Sequence, residues 1–376
     1  MRVYYFFYSF FYFIKLAFIK KHYQIIFYAP HHFNRGNNSE NIFFKDLLDV
    51  CKRHNLSFLY LEEPDVFSSH KRSKIAIPFD FIYYLIVFLR KFMRLEMSYI
   101  YKDKIIGSFI KKIFFKNITF DNYITLSQSM LSFFKAVNSA AKQFDLQHGT
   151  IHAEKKSYLY EGMVSSNLQE NDVTLLLTGN AYKDILIKNE IESYFKSHIK
   201  VIGISSFNNS VIIPLEPNKN VLVSLQFTHD HSKDENIDIA DSLEKLIKEE
   251  STFHFYLKNH PRFNNEIDLT RFLSLPNVSL FSEDLKDGFK KYSLHLTSYS
   301  TVTFEASLNG IPTCFLQSDS MKMNFFHTQY DYPFYKYSLS DLYNNYSACN
   351  LETKQWAMQF YQPFCEESFL KSLKNA

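Results

Sequence analysis

Neither sign of charge is in excess, no cysteines are closely spaced, and no apolar run is long enough to cross a bilayer. Each absence removes a class of function. Lysine and arginine number 42 against 39 acidic residues in a chain of 376. That balance argues against an extended nucleic-acid surface, which shows as a strong basic excess. Cys51, Cys314, Cys349 and Cys365 are far apart and form no Cys-x-x-Cys pair, so neither a zinc knuckle nor a disulfide framework is expected. A reducing cytoplasm is the simplest compartment. Glycine (8) and proline (10) are scarce, while Phe (40) and Tyr (26) are abundant. With many Lys, Asn and Ile, this matches an AT-rich coding sequence, so the aromatic total carries little functional weight. No internal repeat at fixed spacing is present.

What is there begins with an aromatic amino terminus. Residues 3–14 are apolar except for Ser9, and Lys15, Lys20 and Lys21 follow. The run falls short of the ~20 apolar residues a spanning helix needs and lacks the small-residue cleavage site of a signal peptide. Two readings stay open. One is a helix lying in a membrane interface with its lysines at the headgroups; the other is a helix packed on the protein's own core.

Beyond it, short apolar runs alternate with helical periodicity, the pattern of a parallel α/β sheet. Strands are expected at 23–29, 57–61, 123–126, 144–147, 173–177 and 199–202, and Ser39 is placed to cap a helix over 41–54. A long helix over 79–97, another over 104–115 and a third over 128–142 complete this half. A segment rich in Ser, Asn and Pro over 206–220 reads as a linker. The alternation then restarts, with strands at 221–225, 253–258, 278–281, 294–297 and 312–316 and helices over 237–249, 284–292 and 301–309. The expected organisation is an N-terminal Rossmann-like domain over 1–205, a C-terminal one over 221–350, and a helical segment over 351–376. That last segment, broken at Pro363, is expected to pack back toward the first domain.

Three polar motifs end strands, where ligands bind in open α/β sheets. In Gln147-His148-Gly149 the histidine can serve as a general base, and Gly149 allows close approach to the backbone. In Lys258-Asn259-His260-Pro261 the proline biases His260 toward extended backbone, projecting its ring beyond the strand. In Thr297-Ser298-Tyr299-Ser300-Thr301 a hydroxyl-rich loop opens a helix. Ser300 or Thr301 can cap that helix, the remaining hydroxyls can hold phosphate, and Glu305 lies one turn in. His148 with His152, and His229 with His231, invite a metal reading. No third ligand is evident, so no metal is expected, and His229 and His231 read as solvated loop residues.

These motifs, in this order over two β/α halves, resemble the GT-B-type transferases of bacterial surface-polysaccharide assembly. That set includes capsule polysaccharide synthesis proteins, CDP-glycerol glycerophosphotransferases and bacterial sialyltransferases. The resemblance spans about 144–316. It implies an α/β fold of two Rossmann-like doubly wound domains facing a cleft. It further implies a catalytic base at His148, donor-phosphate contacts at His260 and Pro261, phosphate-binding hydroxyls at Ser298, Ser300 and Thr301, and a ribose contact at Glu305. Two departures stand out. The paired carboxylate before glycine in sialyltransferases is reduced to Tyr160-Glu161-Gly162, leaving Glu161 as an alternative base. Gln147 replaces the aromatic residue usual in glycerophosphotransferases.

The expected function is transfer of a sugar from a CMP- or UDP-linked donor to a lipid-linked or oligosaccharide acceptor, without a metal or other cofactor and without nucleic acid. The expected location is peripheral on the inner face of the cytoplasmic membrane. Polyol-phosphate transfer from a CDP donor and a non-catalytic role in glycan assembly are the alternatives.

Overall fold

The computed structural model describes residues 2–35, 40–65, 71–205, 216–260, 262–283, 285–316 and 324–374. The chain divides into two compact units, Met1–Ser206 with Gln362–Ala376, and Phe207–Tyr361.

In the first unit, seven strands form one sheet: β1 (Lys21–Pro30), β2 (Phe58–Glu63), β3 (Ile77–Pro78), β4 (Ile118–Leu126), β5 (Lys142–Leu146), β8 (Val173–Leu177) and β9 (Ile199–Val201). Between β5 and β8 sit β6 (Leu159–Tyr160) and β7 (Met163–Val164), which make a separate antiparallel hairpin. The sheet order is β3-β2-β1-β4-β5-β8-β9, and every pairing within it is parallel. Ile25, Ile26, Phe27, Tyr28 and Ala29 of β1 are all fully buried. A continuous buried apolar run is what a parallel strand covered on both faces requires.

The second unit repeats the scheme with β10 (Asn220–Ser224), β11 (His254–Lys258), β12 (Val278–Leu280), β13 (Leu294–Thr297) and β14 (Thr313–Phe315), in the order β12-β11-β10-β13-β14. Its pairings are also all parallel. In both sheets the order reverses beside the first strand, between β1 and β4 and between β10 and β13. Each unit is therefore a Rossmann-like, doubly wound α/β layer with a topological switch point.

Several helix boundaries differ from the periodicity, and each has a local cause. The stretch over 79–97 is not one helix. Asp80–Lys91 stops, and Tyr99–Ile110 starts anew under a cap in which the Ser98 side chain accepts from the Tyr101 amide. Arg90 then grips Asp103 through two 2.7 Å hydrogen bonds, tying the two helices together. The helix expected over 128–142 shrinks to Leu131–Val137. Ser127, Gln128 and Met130 take left-handed backbone, held where the Gln128 amide donates to the Asp145 carboxylate at 2.8 Å. Ser39 lies outside the described residues. The helix Lys45–Arg53 instead follows a turn in which Asn41 Oδ1 accepts from the Phe43 and Phe44 amides. The helix Lys233–Glu249 begins earlier than its periodicity, under a capping box of Ser232 and Glu235.

The aromatic amino terminus is a helix, Arg2–Ala17. One side is in the core: Ser9 and Phe13 are fully buried, and the Ser9 hydroxyl accepts from the Phe81 amide at 3.2 Å. Tyr4, Phe7 and Phe11 on the other side are more than half exposed. No helix among the described residues is long and apolar enough to cross a membrane.

The helix Tyr346–Phe360 belongs to the second unit, and only from Gln362 does the chain join the first. There the Gln362 amide donates to Thr178 O at 2.8 Å, and Ile204 N to Gln362 O at 2.9 Å. Gly203 has φ +72° in this strand-like exchange, and a Cβ on it would overlap the Pro363 carbonyl. A left-handed non-glycine residue costs about 1–3 kcal/mol before any overlap. Gly203→Ala should therefore destabilise the first unit by about 2 kcal/mol or more, read as a lowered denaturation midpoint. An unchanged midpoint would show that the carboxyl-terminal stretch does not hold this geometry.

Candidate functional site

In the second unit, the loops leaving β10, β11 and β13 are joined at the carboxyl edge of the sheet. The loop over 226–231 is the connector. The Asn264 amide donates to Phe227 O at 3.3 Å, Arg262 Nη1 donates to Asp230 at 3.2 Å, and the Tyr299 hydroxyl hydrogen-bonds His231 Nε2. His260 and the serine loop are thereby brought to one edge, at the switch point where β10 lies beside β13. His231 is not the solvated residue expected: it is buried, because the Tyr299 ring packs against it.

The serine loop is anchored from below. Thr297 Oγ1 donates to Ser224 O at 2.8 Å, and the Ser300 amide donates to Thr297 Oγ1 at 3.3 Å. His295, fully buried, bridges Thr313 Oγ1 and Ser224 Oγ, each at 2.9 Å. Burial pushes its pKa down to about 3, so the ring is a neutral strut between β13 and its neighbours on both sides. Ser298 and Ser300 are buried and Thr301 is exposed. The helix that follows, Val302–Leu308, is short, and Thr301 at its N-cap makes no side-chain capping bond. Ser300 Oγ accepts from the Val302 amide at 3.3 Å instead. Glu305 is in the first turn of that helix and half-buried.

His260 stands two residues past β11, half-exposed, with its Nδ1 accepting from the Arg262 amide at 3.1 Å. Burial and the Arg262 charge lower its pKa, against a smaller pull from Asp230. Nδ1 as acceptor places the proton on Nε2, which makes Nε2 the hydrogen-bond donor of the ring. Pro261 lies outside the described residues.

In the first unit, His148 sits two residues beyond β5. Its ring packs edge-on against Phe33 at 5.1 Å and Phe43 at 6.4 Å. Burial pushes its pKa down to about 4, with Lys155, Arg35 and His32 acting in the same direction. The ring is therefore uncharged near neutral pH. Its Nδ1 is enclosed and makes no hydrogen bond of ordinary geometry. The Leu146 backbone acts the other way and favours protonation.

Gln147 does the positioning. It is buried, and its Oε1 accepts from both the amide and the hydroxyl of Thr178 at 3.0 Å. Its Nε2 donates to Gly149 O at 2.9 Å. An aromatic side chain has no carboxamide to accept at one atom and donate at another, so the departure at this position supplies a clamp across β5 and β8. A Cβ at Gly149 would meet nothing within 4 Å, leaving open space over the backbone beside His148. Glu161 is elsewhere in this unit. It is exposed at the tip of the β6–β7 hairpin, with φ 50° followed by φ 77° at Gly162, and two successive positive values are what a two-residue type I′ turn demands.

Asp145 carries a signal that motif reading missed. It lies in β5, wholly buried, accepting from the Gln128 amide at 2.8 Å and from the Tyr158 hydroxyl at 3.1 Å. Burial outweighs both bonds and raises its pKa to about 7. Lys155, whose own pKa burial lowers, donates to Thr150 O at 2.6 Å and lies near enough to act on Asp145 and His148 alike. An acidic residue between Phe144 and Leu146 in a strand was the available clue. Among the described residues, no group of three His, Cys, Asp or Glu side chains is arranged to hold a metal ion.

No family model matches the chain, and no curated protein matches it in sequence. Solved structures do match in fold. A Listeria monocytogenes protein assigned as a UDP-N-acetylglucosamine 2-epimerase superposes with TM-score 0.53 at 12% identity, over 94% of this chain and 96% of its own. The S. aureus MnaA–UDP complex gives TM-score 0.51 at 11% identity over 95% and 96%. The Methanocaldococcus jannaschii UDP-GlcNAc 2-epimerase gives 0.50 at 12% identity over 93% and 99%. At such identities the likeness establishes the fold, two Rossmann-like units in one chain.

The Asp145 environment generates a pH test. Its folded pKa is above the unfolded value of 3.8, so its contribution is fully present at low pH and lost as pH rises through about 7. Relative to Asp145→Asn, the stability of the wild type should fall by up to about 1.4 kcal/mol per pH unit between those limits and level off above them. Parallel stability–pH curves for the two proteins would show that Asp145 ionises normally.

Proposed function

We propose that the chain is a nucleotide-sugar-dependent glycosyltransferase of surface-glycan assembly. The observation that carries this reading is the joining of His260 and the Ser298 and Ser300 loop at the switch point of the second unit. That is the position where doubly wound sheets bind nucleotides. In this reading the Ser298, Ser300 and Thr301 hydroxyls and the Nε2 proton of His260 hold the donor's phosphates. They stabilise the negative charge that grows as the sugar–phosphate bond breaks. Glu305 accepts from the ribose.

In the first unit, His148 removes the proton of the acceptor hydroxyl. Its ring is held uncharged, and a proton on Nδ1 toward the Leu146 backbone would leave the Nε2 lone pair for that task. Gly149 admits the acceptor beside it. His148 is preferred to Glu161, whose turn position accounts for that residue without chemistry. The acceptor is a lipid-linked or oligosaccharide glycan, and the enzyme works as a peripheral protein at the inner face of the cytoplasmic membrane. These groups meet the phosphates with hydrogen-bond donors, and the proposed mechanism includes no metal step.

A second reading, nucleotide-sugar epimerisation, is favoured by the fold match to the UDP-GlcNAc 2-epimerases over nearly the full length of both chains. The products separate the two. Transfer releases free nucleotide and adds the mass of a sugar to the acceptor. Epimerisation converts the nucleotide sugar with no acceptor present. A mass increment of a polyol phosphate on the acceptor would instead assign a CDP-polyol donor.

Two outcomes are expected. A CMP- or UDP-sugar at about 100 times its Kd should stabilise the protein by about 2.7 kcal/mol, seen as a raised melting temperature. The absence of a response to CMP, CDP, UDP and GDP compounds would defeat the proposal. His148→Ala should lower kcat by roughly 10²- to 10⁴-fold. The acidic limb of kcat/KM should lie near the shifted value of about 4, and a limb near ~6.5, the ordinary histidine value, would point to a different base.

A further inference from the structure

We infer that the first unit carries a membrane-docking face for anionic lipid, built jointly by three helical segments rather than by the aromatic amino terminus alone. This inference does not depend on the transferase reading.

The exposed apolar side chains are not scattered. Of the 25 large hydrophobic residues that are exposed among the described residues, 16 lie within residues 3–19 and 84–113, so chance distribution over the surface does not account for them. On the first helix, Val3, Tyr4, Phe7, Tyr8 and Phe11 recur at helical spacing on one side, with exposures from 43% to 68%. Opposite them, Ser9 and Phe13 are buried in the unit. Phe88 extends the set from Asp80–Lys91, and Phe92 and Leu95, 74% and 96% exposed, occupy the turn beyond it. Tyr99, Tyr101, Ile105 and Phe109 follow on the next helix, and Ile113 on the π-helical segment Lys111–Phe115.

Counting Tyr99–Ile110 and the π-helical turn that continues it as one stretch, the three segments are contiguous through one ring. Phe81 packs against Phe6 at 5.7 Å and Phe10 at 5.0 Å on the first helix, and against Phe114 of the π-helical segment at 5.3 Å. A half-exposed aromatic side chain leaves on the order of 100 Å² to solvent. Summed over its members, the set exposes more than the few hundred Å² of the largest patch on an ordinary monomer.

Charge selects the occupant. Lys15, Lys20, Lys91, Arg94, Lys111 and Lys112 are exposed in the same segments and make no ion pair among the described residues. Lys116, also exposed, lies over the Phe18 ring at 5.8 Å. Glu96 is the one exposed acid there: Asp103 is buried and bound by Arg90. An aromatic and aliphatic surface edged by unpaired cations fits the boundary of an anionic bilayer, where apolar groups enter the acyl region and cations meet headgroups. A second copy of this chain would bring the same cations against one another.

The test is vesicle flotation of the full chain, with phosphatidylcholine alone and with one-third phosphatidylglycerol. Binding is expected to the anionic vesicles and to weaken at high salt. Phe7→Ser with Phe11→Ser, and separately Phe88→Ser with Phe92→Ser, should each lower partitioning about tenfold or more. Lys111→Gln with Lys112→Gln should lower it roughly fivefold per charge. Each variant should keep the wild-type melting temperature, since the substituted side chains are exposed. Three results would overturn the inference: no binding to the anionic vesicles; loss in the 7/11 pair with none in the 88/92 pair, which would reduce the face to a single-helix anchor; or a dimer in sedimentation that the same aromatic substitutions dissolve while vesicles are ignored.

Discussion

Parallel pairing of one central strand with two neighbours is the constraint from which both units are built. β1 is bonded to β2 and β4, and β10 to β11 and β13. Parallel neighbours cannot be joined by tight hairpins, so the chain must cross over through helices and return. With the central strand first in sequence, successive crossovers run outward on one side and then on the other. The place where they part is left without a covering crossover, and the loops at the carboxyl ends of the strands meet there. The serine loop and His260 in the second unit owe their nearness to this topology, and so do His148 and the loop after β1 in the first.

Electrostatics then distinguishes the polar groups that support the fold from those available for chemistry. His295 is buried and satisfied at both ring nitrogens, so its loss of charge is part of a strand-to-strand brace. His148 is uncharged for the same reason, desolvation, yet its ring lacks an ordinary hydrogen bond within the described residues. Asp145 shows the opposite sign of the same effect, since burial disfavours the carboxylate and raises its pKa. Gln147 links these features. By bonding Thr178 and the Gly149 carbonyl, it fixes the backbone on both sides of His148 without adding a charge.

Much of the fold was legible because its signal is local. The short apolar runs at 144–147, 173–177 and 294–297 are strands at nearly those limits, and Pro363 stands in the gap between the helices Tyr346–Phe360 and Glu366–Lys374. The reading failed where a long-range partner overrides periodicity. The helix over 128–142 lost its first turn to the Asp145 carboxylate, and the helix over 79–97 ended early, with Arg90 engaged by Asp103 across the following turn. The amino terminus shows both limits together. Its composition allowed a membrane face or a core face; the folded helix buries Ser9 and Phe13 in the core and leaves Phe7 and Phe11 exposed.

The sequence by itself determined which segments become parallel strands and which polar residues stand at their ends, because hydrophobic periodicity and strand-terminating residues act over a few positions. It could not determine which of those residues share a neighbour or lose contact with water. His231 meets Tyr299, and Gln147 meets Thr178, across tens of residues of chain. Whether an imidazole is a strut or a base turns on such partners and on burial, and both exist only once the chain has folded.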